Sequence, residues 1–131
     1  EWVLHELSHG GTIQGFRDVF FSSLYTFDLA RMLEISLDRD LSGIFNFGSS
    51  EPLSKYQFAA ELSQIFGFNG SLIKAISIDD FHFTAKRGKN LSLNVEKFIR
   101  ATGYTPPTLR ESIHNFYRDH LAGLPGRIRN A

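Results

Sequence analysis

Runs of apolar residues along this chain change period several times, and each change marks an element. From Thr26, a residue able to cap a helix, the apolar positions Leu29, Met32, Leu33 and Leu37 recur at i, i+3, i+4 and i+8. That spacing forms one stripe of an amphipathic helix, which the polar link Asp38-Arg39-Asp40 stops. Gly43-Ile44-Phe45-Asn46-Phe47-Gly48 follows, almost continuously apolar between glycines. Such a run predicts a strand buried on both faces, as in a parallel sheet. Ser54 and Gln57 have the spacing of a capping box, with Leu53 and Phe58 at the staple positions. They open a helix that buries Phe58, Leu62, Ile65 and Phe66 and ends at Gly67 in left-handed geometry.

Leu72 to Ile78 is short and apolar and reads as a strand or extended segment. Asn94 can cap a brief helix through Val95, Phe98 and Ile99 that stops at Gly103. Pro106-Pro107 forbids helix across the next step. Thr108 and Glu111 form a second capping box and open a last helix with Ile113, Phe116, Tyr117 and Leu121 on one face. Gly123 ends it, and residues 124–131 read as a flexible tail beyond a domain spanning 1–123. At the other end Trp2, Val3, Leu4 and Leu7 form an apolar run, as if the chain were entered within a helix.

Composition narrows the picture. A chain of 131 residues suits one domain with one core and is too short for a nucleotide-binding domain plus a substrate domain. Its 14 basic and 14 acidic residues cancel, so it carries no electrostatic footprint for nucleic acid or an anionic membrane surface. No apolar run approaches the roughly 18 residues a membrane span needs, and no basic segment leads into a signal-like apolar core. The absence of cysteine removes disulfides, thiolate metal sites and Cys nucleophiles, and fits a cytoplasmic protein. The 13 Phe residues are an excess, since each large aromatic side chain buries about 150–250 Å². Either the core is unusually aromatic, or several Phe face a surface that another part of a larger protein covers.

Two stretches carry candidate chemistry. His5-Glu6-Leu7-Ser8-His9 matches the helical zinc motif in which two His share a face and a Glu serves as base. Gly10-Gly11 ends that helix at once and no third His follows, so solvent-facing histidines are the simpler reading. Lys86, Arg87 and Lys89 concentrate three positive charges in one loop of an otherwise neutral chain, as an anionic ligand would require. A guanidinium forks two donors onto a phosphate, which an ammonium cannot do. Asp18 and Asp28 read as structural acids, Asp28 placed early in its helix where the macrodipole favours it. No Tyr has a Lys at i+4, and no Gly-x-Gly-x-x-Gly follows a strand.

The stretch Phe16-Arg17-Asp18-Val19-Phe20-Phe21-Ser22-Ser23-Leu24-Tyr25-Thr26-Phe27-Asp28-Leu29-Ala30 resembles a signature of sugar-nucleotide reductases of the dTDP-4-dehydrorhamnose reductase type. That family belongs to the extended short-chain dehydrogenases/reductases, and the signature opens its substrate-binding half. Ala85-Lys86-Arg87-Gly88-Lys89-Asn90-Leu91-Ser92-Leu93 resembles a second family segment, which lies beside the nucleotide-sugar. The chain departs from both: Gly88 replaces a Pro, and Phe21, Ser23 and Leu24 stand where Gly, Pro and Thr are usual.

The resemblance implies an α/β fold, the C-terminal fragment of a Rossmann-type enzyme, mostly helices with a few short strands. It implies a parent that reduces 4-keto nucleotide-diphospho-sugars with NADPH, in which Arg87, Lys86, Asn90, Phe21 and Ser22 meet the substrate. The cofactor turn and the catalytic Tyr/Lys pair would lie in an N-terminal Rossmann half, so this chain alone is expected to bind no cofactor and to be inactive. Phe45 and Phe47 are then expected on an apolar face, with self-association as the consequence. A rival reading is a non-catalytic module similar to the regulatory subunit of methionine adenosyltransferase.

Overall fold

The computed structural model of the protein describes residues 2–129. Helix α1 (Trp2–Ser8) leads through Gly10 and Gly11 into strand β1 (Ile13–Phe16). The capping box at Ser54 is formed as its residue types demand. The Gln57 N–H donates to the Ser54 hydroxyl at 3.1 Å, and the Ser54 N–H donates to the Gln57 amide oxygen at 2.9 Å. Helix α3 (Lys55–Phe66) follows and stops where Gly67 takes a φ of 72°. Strand β4 (Ile73–Ile76) then runs parallel to β1, with Ile13 opposite Ile73 and Phe16 opposite Ile76.

Helix α3 lies across this parallel pair, and helix α5 (Leu109–Leu121) packs on α3. Leu7, Ile13, Ala59, Leu62, Ile73 and Ile113 form the core between them. The layers come close because Gly15 faces α3: a Cβ at that position would stand 2.7 Å from the Tyr56 Cα. Phe66 fills the outer end of the interface, edge-on to Tyr117 with ring centroids 4.8 Å apart.

A second layer forms around strand β2 (Phe20–Phe21). It pairs antiparallel with β3 (Leu53–Ser54) and parallel with β5 (Asn90–Leu91). Helices α2 (Thr26–Asp38) and α4 (Glu96–Thr102) meet at a smaller core of Met32, Ile35 and Phe98. Val95 holds the cap position of α4 and makes no side-chain capping bond, while Asn94, one residue earlier, accepts the Glu96 N–H at 2.9 Å through its side-chain oxygen. Thr108 and Glu111 close their capping box at the start of α5, where the Thr108 N–H holds the Glu111 carboxyl below its ordinary pKa.

Four expectations are corrected. Residues 43–48 form no strand. Phe45 and Phe47 turn onto the Met32/Phe98 core while Ile44, 86% exposed, turns out. Side chains meet this segment in place of a ladder: Lys97 donates to the Ile44 carbonyl at 2.7 Å, and the Asn46 amide donates to the Asn94 carbonyl at 3.1 Å. Phe45 and Phe47 therefore do not form an exposed apolar face. Helix α2 begins without the Thr26 cap, since Tyr25 holds the cap position and makes no side-chain capping bond.

The inner stripe of α2 is also rotated, with Ile35 buried and Leu33 and Leu37 outside. The reason lies in Asp28, whose carboxylate accepts the Ser112 hydroxyl at 2.6 Å and the Asn115 amide at 2.9 Å. That tie to α5 turns positions 28, 32 and 35 inward at i, i+4 and i+7. Past Gly123 the chain continues as helix α6 (Leu124–Arg129), packed on α5.

Gly15→Ala is expected to destabilise the protein by about 1–3 kcal/mol, the usual cost of forcing a carbon into a packed contact. The urea-denaturation midpoint reads this, and an unchanged midpoint would mean that α3 lifts from β1 at no cost.

Candidate functional site

The site is built at the carboxyl ends of β1 and β4. After β1 the chain turns through Arg17 and Asp18, and the Asp18 carboxylate collects donors from two other segments. It accepts the Ser77 hydroxyl at 2.7 Å, the Ile78 N–H at 2.9 Å and the Lys89 ammonium at 3.0 Å. Lys89 also reaches Asp79 at 2.5 Å. The Ile78 N–H, the Ser77 hydroxyl and Lys89 hold the Asp18 carboxyl far below the usual carboxylate range. Asp79 and then Asp18 hold Lys89 above its ordinary value.

This cluster pins one end of an exposed loop that frames a groove of about 580 Å³. Phe81, Phe83, Lys86 and Arg87 line it, with Asp79 and Lys89 among its other residues. The Arg87 guanidinium lies over the Phe83 ring, 5.0 Å from the centroid. Among the described residues neither Lys86 nor Arg87 has a carboxylate partner. Lys89 is already paired, so the loop presents two available cations where its sequence counted three.

Phe21 and Ser22 face a second groove of about 320 Å³, with Leu24, Leu29, Phe47, Leu91 and Leu93. Ser22 is buried, and its hydroxyl accepts the Leu93 N–H at 2.9 Å. The Phe21 ring carries the Lys55 ammonium 3.8 Å from its centroid. Asn90 sits on β5 opposite Phe20, and its side-chain oxygen accepts the Ser92 N–H at 3.0 Å, closing a local turn. The five residues singled out in the sequence thus divide between two grooves and a turn. The exposed rings of Phe81 and Phe83 were missed; the available signal was Phe81-His82-Phe83 just before Ala85-Lys86-Arg87 in a Phe-rich chain.

This layout agrees in fold and order with a known family. A family model described as the RmlD substrate binding domain matches residues 3–121. The chain belongs to that family. Among relatives of this RmlD-type domain is a probable low-salt glycan biosynthesis reductase of Haloferax volcanii, 24% identical over 113 residues. The match covers 86% of this chain and 38% of the relative.

Similar solved structures include a dTDP-4-dehydrorhamnose reductase from Bacillus anthracis in complex with NADP. It has a TM-score of 0.78 at 18% identity, over 90% of this chain and 42% of that one. Another is an ortholog from Clostridium acetobutylicum, with a TM-score of 0.74 at 24% identity over 93% and 44%. The RmlD-type domain therefore spans about two fifths of the length of the proteins it matches.

The nicotinamide cofactor that this fold family implies does not fit the residues described. A dinucleotide pyrophosphate needs free N–H donors where a strand turns into a helix. Here β1 is followed by β2, and the donors after β4 are taken: Ile78 N–H by Asp18, Asp79 N–H by the Ser77 hydroxyl and Asp80 N–H by the Ser77 carbonyl. Where β3 runs into α3, the Lys55 N–H goes to the Val19 carbonyl and the Gln57 N–H to the Ser54 hydroxyl. On α1 the His5 and His9 rings lie 4.4 Å apart in the open, and a His9 ring nitrogen, Nδ1, meets the His5 carbonyl at 2.8 Å. They belong to no group of three His, Asp or Glu suited to a metal among the described residues.

Asp18 supplies the test of the anchor. A carboxyl lowered by folding contributes stability that is fully present above its unfolded pKa and is lost as pH falls toward the folded value. Asp18→Asn is therefore expected to be less stable than the parent at neutral pH, with the gap closing as pH drops below the ordinary carboxylate range. Urea melts from pH 7 downward measure it; a gap that stays constant would remove Asp18 from this role.

Proposed function

We propose that this chain is the nucleotide-sugar-binding portion of an NADPH-dependent reductase of 4-keto nucleotide-diphospho-sugars, working in deoxysugar or glycan biosynthesis. The observation that carries the reading is the groove in which Lys86 and Arg87 stand without carboxylate partners beside a loop pinned by Asp18. A diphosphate asks for forked, permanently charged donors, and Arg87 is of that kind. The family and the relatives' printed activities, all of them on sugar-nucleotide or glycan enzymes, support the same substrate class.

In this reading the chain's residues bind and orient. Arg87 and Lys86 hold the diphosphate, while the Asp18–Lys89–Asp79 cluster keeps their loop in place and uses up Lys89. The cofactor would supply the hydride, and no hydride or proton step is assigned to residues here. The sequence contains neither a Tyr with a Lys at i+4 nor a glycine-rich dinucleotide turn. The isolated chain is accordingly expected not to oxidise NADPH in the presence of a 4-keto nucleotide-sugar.

Arg87→Ala in the full protein should weaken nucleotide-sugar binding by about 1–3 kcal/mol, the scale of a hydrogen bond to a charged group. Arg87→Lys should recover only part of the loss, because charge without the fork lacks the bidentate geometry. Titration calorimetry gives both constants. An Arg87→Ala protein that binds as well as the parent would reduce the loop to a solvated surface.

A further inference from the structure

We infer that the exposed rings of Phe81 and Phe83 form a stacking subsite for the aromatic base of a nucleoside diphosphate. The inference deepens the reading above and rests on it only for the phosphate end.

The two rings are nearly parallel, tilted 24° with centroids 5.8 Å apart. Phe16, at the end of β1, supports both from below, edge-on to Phe81 at 5.5 Å and to Phe83 at 6.2 Å. The pair is thus held on the sheet rather than on a free loop. Neither ring belongs to either apolar core, and Phe81 stays 44% and Phe83 38% exposed. Two braced aromatic rings left facing water offer a flat apolar platform that core packing does not explain. Lys86 and Arg87 line the same groove, and Arg87 already rests on the Phe83 ring.

A ligand that matches this surface has a flat aromatic end and an anionic end. A nucleoside diphosphate has both: its base extends the Phe stack and its phosphates meet the two cations. Stacking accepts any base, since every base has a π-face, so this subsite supplies affinity for the nucleotide without choosing among nucleotides.

The test uses the full protein with its cofactor site saturated by NADP, and titrates thymidine diphosphate and pyrophosphate separately. Phe81→Ala combined with Phe83→Ala should weaken thymidine diphosphate about tenfold, the scale of one lost base–ring stack. Pyrophosphate binding should hold, and Phe83→Trp should keep the parent affinity for both. A loss of less than about threefold for thymidine diphosphate would overturn the subsite, as when another part of the protein covers the rings. A parallel loss for pyrophosphate would overturn it too, by showing a loop that has collapsed. Arg87→Ala separates the two readings: it should weaken pyrophosphate as well, and its failure to do so would sink the phosphate assignment while the ring variants still judge the base.

Discussion

One half-buried carboxylate decides where the candidate site stands. Every residue from Phe81 to Leu91 is exposed, so no buried apolar side chain locates that stretch. Asp18 does so instead, by accepting donors from Ser77, Ile78 and Lys89. Two of those donors come from the end of β4 and the third from the basic loop. The turn after β1 is thereby tied to both, and the Phe83/Arg87 pair is left over the sheet end. A carboxylate that gathers several donors is held strongly in its charged form, which is why such an anchor can replace packing.

The same device recurs on the other side of the molecule. Asp28 ties α2 to α5 through Ser112 and Asn115, and Ser112 is buried. Removing one partner from such a cluster would strand polar groups away from water, so the tie fixes how α2 is rotated. The Met32/Ile35/Phe98 core follows from that rotation, and Phe45 and Phe47 close over it. Two acids that stand ten residues apart in sequence thus organise two different layers.

Charge is distributed with the same economy. The chain is neutral overall, yet the basic loop is not uniformly available to a ligand. Lys89 is committed to Asp18 and Asp79, whereas Lys86 and Arg87 face the groove without acidic partners. Cations with and without a carboxylate partner sit within four residues of each other, and only the position of the acids tells them apart.

What the sequence determined by itself is local. The capping boxes at Ser54 and Thr108 and the stop at Gly67 depend on residues within a few positions of one another, and all form as their chemistry demands. The order of elements and the family were legible for the same reason, being carried by short patterns read in sequence. The rotation of α2, the irregular path of residues 43–48 and the separation of Phe21 and Ser22 from Arg87 were not. Each depends on partners far along the chain: Asp28 on Ser112, Ile44 on Lys97, Ser22 on Leu93. Periodicity reports which residues are apolar, but a buried polar tie can outweigh it in choosing the face that turns inward. That choice, and the gathering of Phe16, Phe81, Phe83 and Arg87 at one sheet end, belonged to the tertiary structure alone, because only folding brings the end of β1 against a loop about seventy residues later.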